Sequence, residues 1–177
     1  MSQRIVTGYD SRGQSIILDQ LSLPTTTVFR HIRQFEISRV WTTSASPEIP
    51  FNVRDPAADL PSILPEIGGT VLLKVMFPPD AIMAADAAAP QALAEQATNL
   101  PGLAERFEPD APGMHTTDSV DYGILLDGEL WLEVDGGEAR CVKPGDIVIQ
   151  NGTRHAWRNR TDRPATMVFV LIGARRS

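Results

Sequence analysis

The chain has 177 residues, 42% of them apolar, and a formal net charge of -6 at pH 7. This length allows one sizeable hydrophobic core but is short for two independent cores, so a single domain is expected. The acidic balance, without a clustered basic stripe, argues against nucleic acid or an anionic membrane surface as a partner. A small molecule is therefore the expected partner.

The start of the chain and its cysteine content indicate a compartment. Residues 1–8 lack the apolar core of a signal peptide, and no apolar run is long enough to span a bilayer. Cys141 is the only cysteine, so no intramolecular disulfide can form. These features predict a cytoplasmic protein.

The N-terminal part predicts strands followed by an irregular connection. Turn-forming residues 8–13 separate two short apolar, β-branched runs, which indicates a hairpin. Five prolines between residues 44 and 69 exclude a continuous helix or a central strand there, so this stretch is expected to be an extended surface connection. The predicted strands of this part are 4–7, 14–18, 28–32 and 35–43.

A strong strand is predicted over residues 70–77, which end at Pro78-Pro79. Residues 80–112 then form an alanine-rich stretch, in which 90–97 suits a helix with Pro90 in its first turn. Beyond residue 112, short apolar runs alternate with glycine-containing turns, a pattern typical of an antiparallel meander. The predicted strands there are 122–126, 129–134, 139–142, 146–150 and 165–172.

Two spaced sets of residues in this second half resemble the paired motifs of the cupin superfamily. The first set is His115, Thr117, Asp121 and Gly128, and the second is Gly145, Asn151, Gly152, His155 and Asn159. In the first set, Thr117 stands where the family has a second histidine and Asp121 where it has a glutamate. The second set matches the family motif at nearly every marked position.

This resemblance implies an all-β fold, a cupin-type (RmlC-like) jelly-roll β-barrel, with extra N-terminal strands and a partly helical insertion at about 80–112. We expect one cupin domain over 1–177, in which 1–69 supply the N-terminal strands and the proline-rich connection, and 70–172 form the barrel core with both motifs. The insertion is expected near the rim of the pocket, where it could cover the site, reach a neighbouring subunit or simply cover apolar surface.

Three side chains are the predicted centre of the site. His115, Asp121 and His155 form a possible two-histidine, one-carboxylate ligand set for a divalent Fe, Zn, Mn or Ni ion. Asp121 and His155 are also the predicted catalytic residues, although Asp121 could instead be a buried hydrogen-bonding acid with no metal nearby. The predicted substrate-binding residues are Thr117, Gln150 and Trp157, of which Trp157 could equally be a packed core residue.

The resemblance implies a small-molecule enzyme that acts on an organic acid or phenolic substrate, with oxygenase, isomerase or lyase chemistry left open. Two alternatives remain: a metal-free isomerase or cyclase in which Asp121 and His155 serve as acid and base, and a ligand-binding cupin without catalysis. The N-terminal strands leave sheet edges that need partners, which predicts a homodimer.

Overall fold

The structure is a computed structural model that describes residues 3–22, 24–49 and 54–177. Residues 50–53 of the predicted proline-rich connection therefore lie outside the described residues. The helices are α1 (Asp80–Asp86) and α2 (Pro90–Asn99). The strands are β1 (Thr7–Tyr9), β2 (Ser15–Ile17), β3 (Thr25–Val28), β4 (Glu36–Thr43), β5 (Thr70–Phe77), β6 (Ser119–Asp127), β7 (Leu130–Glu133), β8 (Ala139–Val142), β9 (Ile147–Gln150), β10 (Ala156–Arg158) and β11 (Ala165–Gly173).

Two antiparallel sheets enclose the core. The larger sheet has the order β3-β4-β5-β11-β6-β9, and the smaller sheet has the order β10-β7-β8. Isolated bridges extend the smaller sheet from His155, which precedes β10, to His115 and on to Phe107. Strands β1 and β2 form a separate hairpin. The predicted all-β jelly-roll architecture, with added N-terminal strands and a partly helical insertion, is confirmed.

The core lies between the two sheets because the strands alternate inward and outward side chains. Strand β11 shows this period of two along its whole length, with every second residue buried. Each fully buried leucine, valine or phenylalanine contributes roughly 1.5–3 kcal/mol relative to an exposed one. Inward residues of the larger sheet include Val71, Leu73, Val75, Met167 and Phe169, and those of the smaller sheet include Leu130 and Val142.

The insertion packs onto this core through helix α2. Its Ala92 and the following Leu100 are buried in the same hydrophobic cluster as the sheet residues. On the outside, the carboxylate of Glu95 accepts the backbone N–H groups of Arg30 and His31 at 2.8 and 2.9 Å. The insertion is thus tied to the loop after β3. None of the helices in the described ranges is long and apolar enough to cross a membrane.

Two sequence-based predictions in the N-terminal half are wrong in detail. The strand predicted over 28–32 lies at Thr25–Val28 instead, and residues 29–35 form a loop. Phe29 and Ile32 are buried within that loop, so their hydrophobicity reflects core packing and not strand pairing. The first hairpin pairs Thr7–Tyr9 with Ser15–Ile17, so its first strand begins three residues later than predicted, whereas its second strand lies within the predicted 14–18.

Candidate functional site

The two motif histidines lie side by side. The backbone N–H of His115 donates to the carbonyl of His155, and the reverse bond also forms, both at 3.0 Å. Their ring centroids are 4.3 Å apart, with an angle of 49° between the ring planes. His155 is 2% exposed and His115 is half-buried. The backbone pairing therefore places both imidazoles on the inner face of the smaller sheet.

Both imidazoles are held in the same tautomer. The Nδ1 atom of His115 lies 3.0 Å from the carbonyl of Gly113, and that of His155 lies 2.9 Å from the carbonyl of Thr153. A carbonyl oxygen can only accept, so each Nδ1 carries the hydrogen and each Nε2 keeps its lone pair. Ligand imidazoles in metal sites are commonly oriented by this kind of bond.

The local environment keeps the two imidazoles uncharged. Burial, together with like-charge repulsion from His115, lowers the pKa of His155 to about 4, against the opposing effect of its bond to the Thr153 carbonyl. Burial also lowers the pKa of His115, although its bond to Gly113 and the carboxylate of Glu108 oppose this shift. Neutral imidazoles can bind a cation, or accept a hydrogen bond, without first losing a proton.

Asp121 projects from β6 into the interior between the sheets. It is 7% exposed, and its neighbours in the strand register are Gln150 on β9 and Leu171 on β11. Burial raises the pKa of its carboxyl group to about 6, against the opposing effect of the Ser119 hydroxyl. Its Oδ1 atom has no hydrogen-bond partner among the described residues. A buried oxygen without a partner is a candidate for contact with a ligand.

The three predicted metal ligands do not form one group in this structure. No three His, Cys, Asp or Glu side chains of the described ranges are arranged to hold a metal ion. His115 and His155 are paired, but Asp121 does not join them as a third ligand. The aspartate side chain is one methylene shorter than the glutamate of the family motif, which keeps its carboxylate nearer to β6. Of the three predicted ligands, only His115 and His155 are thus placed to bind one ion together, through the free lone pairs of their Nε2 atoms.

The predicted substrate-binding residues have different surroundings. The hydroxyl of Thr117 is buried and accepts a bond from the Ser119 hydroxyl at 3.0 Å. The side-chain carbonyl of Gln150 accepts both the backbone N–H and the hydroxyl of Thr153, at 2.9 and 2.6 Å. It therefore supports the turn after β9, and its role in substrate binding stays a prediction.

Trp157 lies against the histidine pair, on the same face as His155. Its ring stands nearly perpendicular to the ring of His155, with a distance of 6.2 Å between the ring centroids. It also packs against the ring of Phe169, with a centroid distance of 5.5 Å. On the other side of the pair, the ring of Phe107 lies 5.1 Å from that of His115. No sequence motif marks Phe107, because it belongs to the insertion and reaches the site only through its bridge to His115.

Comparison with known proteins places the motif region in a known family. Residues 105–171 match the family model described as "Cupin domain". Phomopsin biosynthesis cluster protein C' of Diaporthe leptostromiformis is 51% identical over 63 residues, which cover 35% of this chain and 33% of that protein. Oryzines biosynthesis cluster protein J of Aspergillus oryzae is 54% identical over 65 residues, which cover 36% of each chain.

A third relative carries a functional name. The cupin-domain-containing oxidoreductase fogC of Aspergillus ruber is 38% identical over 78 residues, which cover 40% of this chain and 38% of that protein. The chain thus spans about a third of the length of the curated relatives that it matches. The match over residues 105–171, which include both motif histidines, and the jelly-roll sheets support membership of the cupin superfamily.

Proposed function

We propose that this protein is a small-molecule enzyme of the cupin type that acts on an organic acid or phenolic substrate beside the His115–His155 pair. The observation that carries this proposal is the pair itself: two neutral imidazoles, that of His155 buried and that of His115 half-buried, with both Nε2 lone pairs left open. Relatives named as cupin-domain-containing oxidoreductases and as biosynthesis cluster proteins support an enzyme-type role. We propose the cytoplasm as the compartment, since the single cysteine fits a reducing environment.

In the first form of this proposal, His115 and His155 hold a divalent Fe, Zn, Mn or Ni ion through their Nε2 atoms. When bound, such an ion polarises a substrate oxygen or, as iron, supports oxygen chemistry. The protein's own contribution is orientation, because the Gly113 and Thr153 carbonyls hold both rings in the binding tautomer. The aromatic rings of Trp157 and Phe107 flank the pair on its two sides.

A second candidate function is metal-free acid and base catalysis by an isomerase or cyclase. It is favoured by Asp121, whose buried carboxyl group has an unpartnered Oδ1 and a pKa of about 6. A carboxyl group with a pKa close to neutral can both donate and accept a proton during one reaction. Asp121 would exchange a proton with the substrate, and His155 would accept a substrate hydrogen bond at Nε2.

One experiment separates these functions. The protein is purified without a histidine tag, its metal content is measured, and Fe(II), Zn, Mn and Ni are titrated into the wild type, His155→Ala and His31→Ala. His31 is exposed, so His31→Ala is the matched control for loss of a histidine. A stoichiometric ion that is lost in His155→Ala and retained in His31→Ala supports the metal enzyme.

The other outcomes have equally direct meanings. Turnover without metal that disappears in Asp121→Asn supports the acid and base mechanism. Ligand binding with neither metal nor turnover contradicts the enzyme proposal and leaves a ligand-binding cupin.

A further inference from the structure

His155 and Asp121 are closed off from solvent, whereas His115 is half-buried. His155 is 2% exposed and Asp121 is 7% exposed, so a ligand cannot reach either side chain unless a neighbouring segment moves. On the His155 side of the pair, the sheet extends sideways, because β10 pairs with β7 and β7 pairs with β8. On the other side, the smaller sheet ends at Phe107. The free edge is therefore the place where an opening requires the fewest backbone bonds to break.

Residues 107–114, the end of the insertion and the turn before His115, form this edge. Phe107 forms a bridge to His115, and the N–H of Glu108 donates to the carbonyl of Met114 at 2.9 Å. This segment thus folds back on itself and closes the edge with one aromatic ring, that of Phe107, against His115. The segment is joined to the sheet by an isolated bridge, whereas continuous ladders of backbone hydrogen bonds join the central strands.

Side chains on the outer surface hold the segment in place. Both guanidinium nitrogens Nε and Nη2 of Arg154 donate to the carboxylate of Glu108 at 2.7 Å, and Nη1 donates to Asp135 at 2.7 Å. Nη1 of Arg158 also donates to the carbonyl of Pro112 at 2.7 Å. The Arg154–Glu108 pair joins the residue beside His155 to the residue beside Phe107.

This ion pair is strong enough to hold the segment and exposed enough to release it. The Arg154 and Glu108 side chains are 33% and 38% exposed, so water and salt screen their attraction. Pairs of this kind contribute modestly to stability, and their loss does not unfold a protein.

We propose that residues 107–114 form a flap that closes the histidine pair and opens to admit the ligand, that the Arg154–Glu108 pair holds the flap shut, and that Phe107 is a specificity-determining residue. The assignment of Phe107 rests on the proposed function, because it requires a ligand at the histidines. Such a ligand lies between the aromatic rings of Phe107 and Trp157. This arrangement selects a substrate with a planar, apolar group next to the atoms that the imidazoles bind.

Chemical modification of the histidines tests the flap without any assay of turnover. Diethyl pyrocarbonate acylates accessible neutral imidazoles, and peptide mass spectrometry separates the rates at His31, His115 and His155. The variant is Glu108→Gln, and the matched control is Glu138→Gln, which removes an exposed ion pair with Arg140 on the same sheet. His31 is exposed and serves as an internal reference in every sample.

We expect Glu108→Gln to raise the His155 rate by roughly two- to fivefold, the effect of one screened ion pair on an opening equilibrium. Phe107→Ala should raise the rates at both His115 and His155, whereas Glu138→Gln should leave them at the wild-type values. The His31 rate should be the same in all four proteins. Equal His155 rates in Glu108→Gln and the wild type, or a parallel rise at His31, would overturn the proposal.

The result is independent of the catalytic assignment. If the modification rates change as expected but no variant of His155 alters turnover or ligand binding, the flap stands and the proposed function fails. If His155→Ala abolishes turnover while Glu108→Gln leaves the modification rates unchanged, the enzyme stands and the flap fails.

Discussion

His115 and His155 each donate a backbone hydrogen bond to the other's carbonyl, so the position of either ring depends on the position of its partner. The ring centroids are 4.3 Å apart, and each Nδ1 lies within hydrogen-bond distance of the carbonyl of the residue two positions earlier. Backbone pairing thus sets the spacing of the rings, and local turns set their tautomers. A substitution of either side chain leaves the backbone pairing in place.

Substitution of His155 by alanine should therefore separate chemistry from folding. We expect His155→Ala to abolish turnover, or ligand binding, and to lower metal affinity by at least about tenfold. Loss of this buried ring should cost only about 1–3 kcal/mol of stability, because the backbone bonds to His115 remain. Calorimetric titration and thermal unfolding measure the two effects. An unfolded variant, or one with unchanged metal content, would identify His155 as a core residue.

The stability of the protein should depend on the ionisation of Asp121. Its pKa is raised from 3.8 to about 6 in the folded state, so the folded state binds this proton more tightly than the unfolded state. That stabilisation is complete at low pH and is lost as the pH rises through about 6. The full change is on the order of 3 kcal/mol between about pH 4 and pH 7.

The Asp121→Asn variant removes this dependence, because its amide stays neutral at every pH. The melting temperature of Asp121→Asn, relative to the wild type, should rise steadily between about pH 4 and pH 7. Asp162→Asn, at an exposed position, is the matched control for an aspartate-to-asparagine change. A constant difference between Asp121→Asn and the wild type would mean that the Asp121 carboxyl group is solvated.

The sequence predicts the second half of the fold better than the first for a physical reason. Between residues 119 and 173, short strands alternate with glycine turns, so the positions of the strands follow from the sequence. The meander pairing does not, because only β7 and β8 among these described strands pair in chain order. In the loop 29–35, buried Phe29 and Ile32 serve the core without strand pairing, so periodicity misleads there. The spacing of the two motifs correctly brings His115 and His155 together.

The rest of the site depends on distances between elements that residue patterns do not encode. Asp121 faces the interior from the larger sheet, whereas the histidines belong to the smaller one, and the gap between the sheets decides whether one side chain can reach the other. Phe107 reaches His115 because the insertion folds back across the edge of the smaller sheet. The residue pattern of a single sequence does not predict how the insertion folds back over the sheet edge.

Two turn glycines should respond differently to the same substitution. Gly128 and Gly145 have φ angles of +82° and +93°, which strain any L residue, and β-branched valine most of all. A Cβ atom at Gly128 would also lie 2.7 Å from the Cα of Ala165, whereas at Gly145 it would meet no described atom within 4 Å. Gly128→Val should cost roughly 3–5 kcal/mol, and Gly145→Val about 1–3 kcal/mol. Urea unfolding of both variants measures the difference, and equal losses would exclude steric crowding at Ala165.

Two exposed apolar patches predict self-association. One lies on the β1–β2 hairpin and its approach, where the exposed fractions are 68% for Ile5, 57% for Tyr9 and 61% for Ile17. The other lies at the β9 edge of the larger sheet and comprises Tyr122, Ile147 and Ile149, with exposed fractions of 43%, 67% and 54%. Apolar residues next to a free sheet edge are typical of an interface. We therefore expect a homodimer that buries both patches about a two-fold axis.

Light scattering coupled to size-exclusion chromatography measures this association. The wild type should be a dimer at micromolar concentration, and Ile17→Lys and Ile149→Lys should each shift it towards the monomer, because a buried lysine without a partner disfavours the interface. Leu93→Lys is the matched control, since Leu93 is 56% exposed on helix α2 and lies in neither patch. It should leave the dimer intact. A monomeric wild type, or equal dissociation in Leu93→Lys, would contradict an interface at these two patches.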